Sequence, residues 1–191
     1  VPQIDKVDGH LLADLKLAGV LAQPRVSGHA EFIAPYMSIN DIGLQLENIK
    51  VNIDGKNNGR ELVVDGSINS GKGQLKINGL VILDAAQGWP VTIDLKGEHF
   101  LAVNIPDFYA TISPDIQFSQ KKELMQLRGR VFIPEATIAP SDMRIPESRV
   151  SHSDDVIIVG EQEKTPLNMD LDLTVSLGDK VTVDAYGLKT Q

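Results

Sequence analysis

One stretch of the chain comes close to the pattern of a phosphate-binding loop. Residues 66–73 read GSINSGKG, so a glycine-rich run leads to Lys72. A P-loop needs a Ser or Thr after the lysine to bind Mg²⁺, and then a helix whose N-terminus holds the phosphate. Gly73 stands in place of that Ser or Thr, and the residues after it alternate between apolar and polar as in a strand. The stretch is therefore predicted to be the turn of a β-hairpin.

A second stretch contains the residue types of a hydrolase triad. Residues 151–155 read SHSDD. Neighbours in sequence rarely converge on one substrate atom, and the chain has no G-x-S-x-G nucleophile elbow. We predict a solvated loop here and no catalytic residue.

No metal or cofactor site is predicted. The chain has no cysteine and four histidines, which are His10, His29, His99 and His152. Their spacing lacks the HxxxH pattern of a metal site. Asp170 and Asp172 share a strand face, but they alternate with Met169 and Leu171 as the outer face of a half-buried strand does. Those two carboxylates are expected to be solvated.

The composition favours an aliphatic β-rich chain that does not bind nucleic acid. The 191 residues are 42% hydrophobic but only 5% aromatic, and the formal net charge is -8. A chain of that charge without a long basic run is a poor match for a phosphate backbone. No run approaches the roughly 18 apolar residues that span a bilayer. Because the chain begins at Val1 without a signal sequence, we expect a processed chain or a fragment, with any membrane anchor outside it.

Apolar and polar residues alternate along most of the chain, which predicts β-strands. The clearest unit is residues 61–84, where VDGSI at 64–68 precedes the predicted turn and INGLV at 77–81 follows it. A glycine in the middle of an apolar row marks a bulge, a bend or a close approach. The same unit recurs, and we predict that its glycines stack in register along a crease. These glycines are Gly19, Gly28, Gly66, Gly79, Gly97 and Gly129.

The predicted fold class is all-β. We expect a wide, mostly antiparallel sheet, folded along the crease like a taco around an elongated hydrophobic groove. One β-rich domain spans residues 1–191, and residues 134–153 are expected to be an internal loop or linker. Ser113-Pro114 is expected to separate two short or edge strands, and Gly178-Asp179 to turn the last hairpin. A change in the parity of the alternation near Asn48 predicts a β-bulge.

The groove lining is predicted from apolar strand positions, because aliphatic side chains can form a long smooth surface. The candidates are Leu15, Leu17, Leu44, Leu46, Val64, Ile68, Leu75, Ile77, Leu80, Val81, Ile93, Leu95, Leu127, Val131 and Ile133. The alternative is a closed β-sandwich with a structural or adhesive role. In that architecture the same residues would form a dry core.

The order of these motifs resembles the C-terminal region of the TamB family. The resemblance rests on the hairpin SGKGQLKINGLVIL, the turn GWP before the strand IDLKG, the tripeptide SPD, and RGRVFIPEATIAP followed by SDDVIIV. It spans nearly the whole chain. TamB proteins are inner-membrane-anchored subunits of the bacterial translocation and assembly module, and they are related to the AsmA-like and bridge-like lipid transfer proteins.

The resemblance implies a periplasmic, non-enzymatic protein of a Gram-negative bacterium, with a role in outer-membrane biogenesis, autotransporter secretion or phospholipid transport. The implied partner is a TamA-like outer-membrane barrel with POTRA domains, and its docking site is expected beyond this fragment. The implied cargo is phospholipid acyl chains or unfolded outer-membrane protein strands. Sheltering an acyl chain of about 15 methylenes requires roughly 12 kcal/mol of apolar burial, which a continuous trough can provide. The sequence leaves both cargoes open.

Overall fold

The described part of the protein is almost entirely β-strand. The computed structural model describes residues 6–139, 168–185 and 188–190. The strands are β1 Lys6–Val20, β2 Gln23–Ile39, β3 Leu44–Lys56, β4 Glu61–Ser70, β5 Gly73–Ile82, β6 Val91–Glu98, β7 Phe100–Ile105, β8 Phe108–Lys121, β9 Leu124–Ile138, β10 Asn168–Ala185 and β11 Leu188–Thr190. Short 3-10 turns connect three pairs of strands, at Asn40–Ile42, Asn57–Gly59 and Ala85–Gln87.

All the described strands belong to one sheet, whose order follows the chain. Strands β1 to β6 pair antiparallel in succession, and β6 and β7 then share the same edge of β8. The pairing of β10 with β9 is parallel. The prediction of an all-β fold with a wide, mostly antiparallel sheet is confirmed. The alternative of a closed sandwich is wrong for the described residues, because none of their strands forms a second sheet.

Three predicted turns or loops are instead strand. Ser113-Pro114 lies inside the continuous strand β8, between β9 on one side and β6 and β7 on the other. Gly178-Asp179 lies inside β10 at a register shift, so no hairpin turn forms there. Residues 134–138 of the predicted loop continue β9, and residues 140–153 lie outside the described residues. In each case pairing with neighbouring strands overrides the local turn signal.

The register aligns apolar side chains across the sheet. Directly opposed residues share a face, and residues two positions apart continue it. One row is Ala13, Ala30, Ile53, Val64, Gly79, Ile93, Phe118, Leu127 and Leu171. The next is Leu11, Phe32, Val51, Gly66, Ile77, Leu95, Ile116, Gly129 and Leu173. We call the face with these rows the apolar face.

The opposite face is mostly polar. The row between the two apolar rows is Leu12, Glu31, Asn52, Asp65, Asn78, Asp94, Gln117, Arg128 and Asp172. We call this side the polar face. The period-two alternation of the sequence therefore becomes a separation of chemistry between the two sides of the sheet.

Register shifts mark five of the strand pairings, namely β1–β2, β3–β4, β7–β8, β8–β9 and β9–β10. Shifts occur between Asp8 and His10, Glu47 and Lys50, Leu101 and Val103, Thr111 and Ser113, and Leu177 and Lys180. The bulge predicted near Asn48 is confirmed, and Asn48 has a φ of 49°. Bulges bend strands and increase their twist. Near the shift between Thr111 and Ser113, β8 pairs with β7, and β7 also contacts β3, β4 and β5, so it turns over the apolar face.

The buried core lies where β7 covers the apolar face. Phe100 on β7 is 8% exposed. It packs in one cluster with Ala34, Leu44, Leu46 and Ile49. Two glycines allow the approach: a Cβ at Gly43, where φ is 64°, would overlap the Asn104 carbonyl oxygen, and a Cβ at Gly73 would overlap the backbone of His99.

Ser70 links three strands at this core. The residue is 1% exposed. Its hydroxyl donates to the Leu101 carbonyl oxygen at 2.9 Å and lies 3.4 Å from the Gln45 carbonyl oxygen. Because Gln45 is on β3 and Leu101 is on β7, this side chain of β4 ties the covering strand to the sheet.

We expect Ser70→Ala to lower the free energy of unfolding by about 1–3 kcal/mol, because a buried carbonyl loses its donor. Urea unfolding followed by far-UV circular dichroism measures this change. Ser67→Ala, on the polar face of the same strand, is the control and should change stability by less than about 0.5 kcal/mol. Equal effects of the two substitutions would contradict the role given to the Ser70 hydroxyl.

A polar contact supports the parallel pairing of β9 with β10. Arg128 Nη2 donates to Asp170 Oδ2 at 2.9 Å, and Gln126 Nε2 donates to the same oxygen at 3.0 Å. These hydrogen bonds, that of Arg128 first, lower the pKa of Asp170 below its ordinary value. A carboxyl group whose pKa is lower when folded stabilises the fold above that pKa, and the contribution disappears as pH falls through it.

We expect Asp170→Asn to be less stable than the parent protein at neutral pH, and the difference to shrink as pH falls through the carboxylate range. Urea unfolding at a series of pH values measures the difference. Asp172→Asn, two positions along β10, is the matched control. A difference that stays constant down to acidic pH would show that the Asp170 charge has no part in the pairing.

Candidate functional site

The apolar face is the candidate functional site. Two flanking rows widen it, each two positions along the strands from the rows already named: one contains Leu15, Gly28, Gly55, Leu62, Val81, Val91, Gln120, Met125 and Met169, and the other contains Ala34, Ile49, Ile68, Leu75, Gly97, Pro114, Val131 and Val175. These rows contain no ionisable side chain. The face can therefore contact an apolar molecule along many strands without burying a charge.

Much of this face remains accessible. On the outer strands Leu11 is 70% exposed and Leu171 is 61% exposed. Central residues such as Ile77 and Leu95 are half-buried. Contiguous exposed apolar surface of this kind is typical of interaction sites. The accessible part of the face lies beside the core under β7 and is continuous with it.

Most of the predicted groove residues lie on the apolar face. These are Leu15, Leu17, Val64, Ile68, Leu75, Ile77, Val81, Ile93, Leu95, Leu127, Val131 and Ile133. Leu44 and Leu46 are on the same side, but they are only 7% and 8% exposed in the core under β7. A ligand cannot reach those two side chains while β7 covers them.

Leu80 is placed on the polar face. It is directly opposite Val63 and Thr92, whereas its neighbours Gly79 and Val81 belong to apolar rows. The run Gly79–Ile82 is apolar at successive positions, so composition alone does not assign a face. The strand register assigns Leu80 to the polar face, so its side chain does not line the apolar face.

Several residues that the sequence does not predict as groove lining also lie on the apolar face. These are Leu11, Val51, Ile53, Ile116, Phe118, Leu171, Leu173 and Val175. For Leu171, Leu173 and Val175 the signal is the strict alternation of apolar and polar residues in LDLTVSL at 171–177. For Ile116 and Phe118 the alternation is interrupted by Pro114, which in the sequence predicts a short or edge strand with no buried face.

The six predicted crease glycines share the apolar face, but none is directly opposite another. Gly66 is opposite Val51 and Ile77, and Gly79 is opposite Val64 and Ile93. The register therefore does not stack them in a line as predicted. A Cβ at Gly66 would meet only ordinary contacts, the nearest at 3.4 Å from the Lys50 carbonyl oxygen.

Neither the P-loop-like stretch nor any metal-binding cluster forms a site among the described residues. The P-loop-like stretch is a hairpin as predicted, with Gly71 and Lys72 between β4 and β5. No group of three or more His, Cys, Asp or Glu in the described part of the chain could hold a metal ion. The SHSDD motif at 151–155 lies outside the described residues. No helix within the described ranges is long and apolar enough to cross a membrane.

The described residues define an all-β fold built on one wide sheet, which their strands do not close into a barrel, with one uncharged face. The TamB C-terminal domain matches residues 64–191, and the chain belongs to that family. The chain is also similar to the translocation and assembly module subunit TamB of Haemophilus influenzae, at 27% identity over 206 residues. That alignment covers 97% of this chain and 15% of the relative. No solved structure matches the chain.

We expect Gly66→Ala to raise the free energy of unfolding by about 0.5–1 kcal/mol, because the site accepts a Cβ and glycine disfavours strand conformation. Chemical denaturation measures the change. Gly73→Ala is the contrasting variant and should destabilise, because its Cβ would overlap the His99 backbone. Destabilisation by Gly66→Ala would support the crease role that the sequence assigned to this glycine.

Proposed function

We propose that this chain is a non-enzymatic part of a translocation and assembly module, in which its apolar face shelters phospholipid acyl chains between two membranes. The observation that carries the proposal is the uncharged and partly exposed face that runs from β1 to β10. Membership of the TamB C-terminal domain family supports the same role.

Acyl chains suit the face better than polypeptide does. A polypeptide segment laid on the face would leave nearly all of its backbone N–H and C=O groups without hydrogen-bond partners, because the rows of the face are almost wholly apolar. An acyl chain has no such groups, and each buried methylene contributes about 0.8 kcal/mol. A path across the successive strands of the sheet allows a chain to keep this burial while it moves.

Unfolded outer-membrane protein strands are the second candidate cargo, and β1 is the feature that favours them. Its 15 residues form an edge of the described sheet, and their pairing within the described residues is to β2 alone. Leu12 and Leu17, on opposite faces, are 66% and 76% exposed. An extended segment could add to this edge by backbone hydrogen bonds.

The proposed setting is the periplasm of a Gram-negative bacterium, where the chain would be part of an inner-membrane-anchored protein. The proposed partner is a TamA-like outer-membrane barrel with POTRA domains, docked outside this chain. The similarity to TamB of Haemophilus influenzae supports this setting. The chain spans only 15% of that relative, so the anchor and the docking site are assigned to the remainder.

We expect Leu171→Glu to weaken binding of a fluorescent phospholipid at least tenfold, about 1.4 kcal/mol, because it places a carboxylate on the apolar face. Leu80→Glu is the matched control on the polar face and should leave affinity within about twofold, which is under about 0.5 kcal/mol. Far-UV circular dichroism checks that both variants fold. Co-purified lipid, measured by native mass spectrometry, is an independent readout of the same site.

Equal affinity of the two folded variants would remove the support for lipid on the apolar face. A strand cargo at β1 makes a different prediction. Under that alternative, Leu171→Glu would leave binding of an outer-membrane protein peptide unchanged, while a proline in β1 would abolish it by removing an N–H donor.

A further inference from the structure

A cavity of about 600 Å³ lies at the end of the sheet away from the core under β7. Three strand connections surround it: the β1–β2 turn, the β3–β4 turn at Asn57–Gly59 and the β5–β6 turn at Ala85–Gln87. The Ala85 N–H donates to the Ala22 carbonyl oxygen at 3.2 Å, so the β5–β6 turn is bonded directly to the β1–β2 turn. The walls of the cavity are therefore held together by backbone contacts.

One wall of the cavity continues from the apolar face, whereas Ala18, Arg25, Glu61 and Ile82 belong by register to the polar face, so the cavity lies at the rim between the two faces. Leu62 and Val81 are directly opposed in one of the flanking rows of the apolar face. Two positions further along, the Leu83 N–H donates to the Arg60 carbonyl oxygen at 2.8 Å, and both residues line the cavity. Two strand residues span about 7 Å. A molecule lying on the end of the apolar face would thus reach the cavity within a few atoms.

Two arginines line this cavity without a carboxylate partner. Arg25 and Arg60 are exposed, and among the described residues no ion pair within 4.0 Å includes either of them. A Cβ at Gly59, the residue before Arg60, would lie 3.2 Å from the Arg25 Cβ, so the two arginines start from neighbouring backbone.

Both carboxylates of the cavity already accept internal hydrogen bonds. Glu61 Oε1 accepts from Asn57 Nδ2 at 2.9 Å. Asp84 accepts from the Ala86 N–H at 3.0 Å and from Gln87 Nε2 at 2.8 Å. The hydrogen bond from Gln87 is the first cause of the lowered pKa of Asp84. These bonds hold the two acids against their own turns, which leaves the guanidinium groups of Arg25 and Arg60 as the cationic donors of the cavity.

We propose that this cavity binds the phosphate of an amphiphilic ligand whose acyl chains lie on the adjoining apolar face, with Arg25 and Arg60 as the phosphate ligands. Guanidinium groups offer a fork of N–H donors that matches phosphate oxygens. The inference rests on the proposed function, whose cargo is phospholipid, and adds to it the residues that bind the phosphate. It also fixes an orientation, with the headgroup at the turns and the chains toward the sheet centre.

The experiment compares three probes on the purified chain: dioleoyl phosphatidylglycerol, the neutral dioleoylglycerol, and inorganic phosphate. We expect the double substitution Arg25→Gln with Arg60→Gln to weaken phosphatidylglycerol binding about tenfold, which is about 1.4 kcal/mol, and to leave dioleoylglycerol binding unchanged. Lys76→Gln, an exposed cation of the polar face without an ion pair in the described structure, is the matched control and should change neither affinity. Far-UV circular dichroism checks that each variant folds.

The three probes separate the failure of this inference from the failure of the proposed function. Equal losses for the two lipids, or no loss for either, would overturn the phosphate site while lipid binding itself stands. If the parent protein bound neither lipid, the proposed function and this inference would both be overturned. Arginine-dependent binding of inorganic phosphate as tight as that of phosphatidylglycerol would assign the cavity to free phosphate and overturn the lipid orientation.

Discussion

Strand register is the constraint on which the rest of this molecule depends. Alternate residues of a strand point to opposite faces, so a slip of one position would carry a whole charged row to the uncharged side. Exposed polar pairs across strands favour the observed register: Lys50 Nζ lies 3.0 Å from Glu31 Oε1, and Arg128 Nη2 lies 2.9 Å from Asp170 Oδ2. Such pairs contribute little stability individually. Their importance lies in the alternatives that they disfavour.

The same face serves stability at one end and remains accessible elsewhere. Under β7, Phe100 and its neighbours form a buried apolar cluster like an ordinary core. Away from β7 the apolar rows have no second layer among the described strands, and their side chains stay partly exposed. Without the cluster, few contacts would stabilise the bend of the sheet. If a second layer covered the whole face, no apolar surface would be accessible to a ligand. The short strand β7 therefore sets the boundary between the two uses.

The strands and the central hairpin could be predicted because they follow local rules. Alternation identifies most strands, and the glycine-rich stretch before β5 identifies its turn. Three features depended on distant parts of the chain and could not be predicted in this way. Pro114 is typical of a strand end, but its pairing with β9 keeps it inside β8. Gly178 is typical of a hairpin turn, but the parallel pairing with β9 keeps it inside β10. The face of Leu80 is determined only by its pairing with β4 and β6.

The sequential order of the strands separates two dimensions of the apolar surface. Strand length determines how wide the surface is, whereas the number of strands determines how far it extends. Gain or loss of one hairpin between β1 and β6 would change the extent by about 10 Å and return the chain to the same direction. The bend, the width and the chemistry of each face would be unaffected. The length of the apolar surface can therefore change by whole hairpins while its width and its bend stay the same.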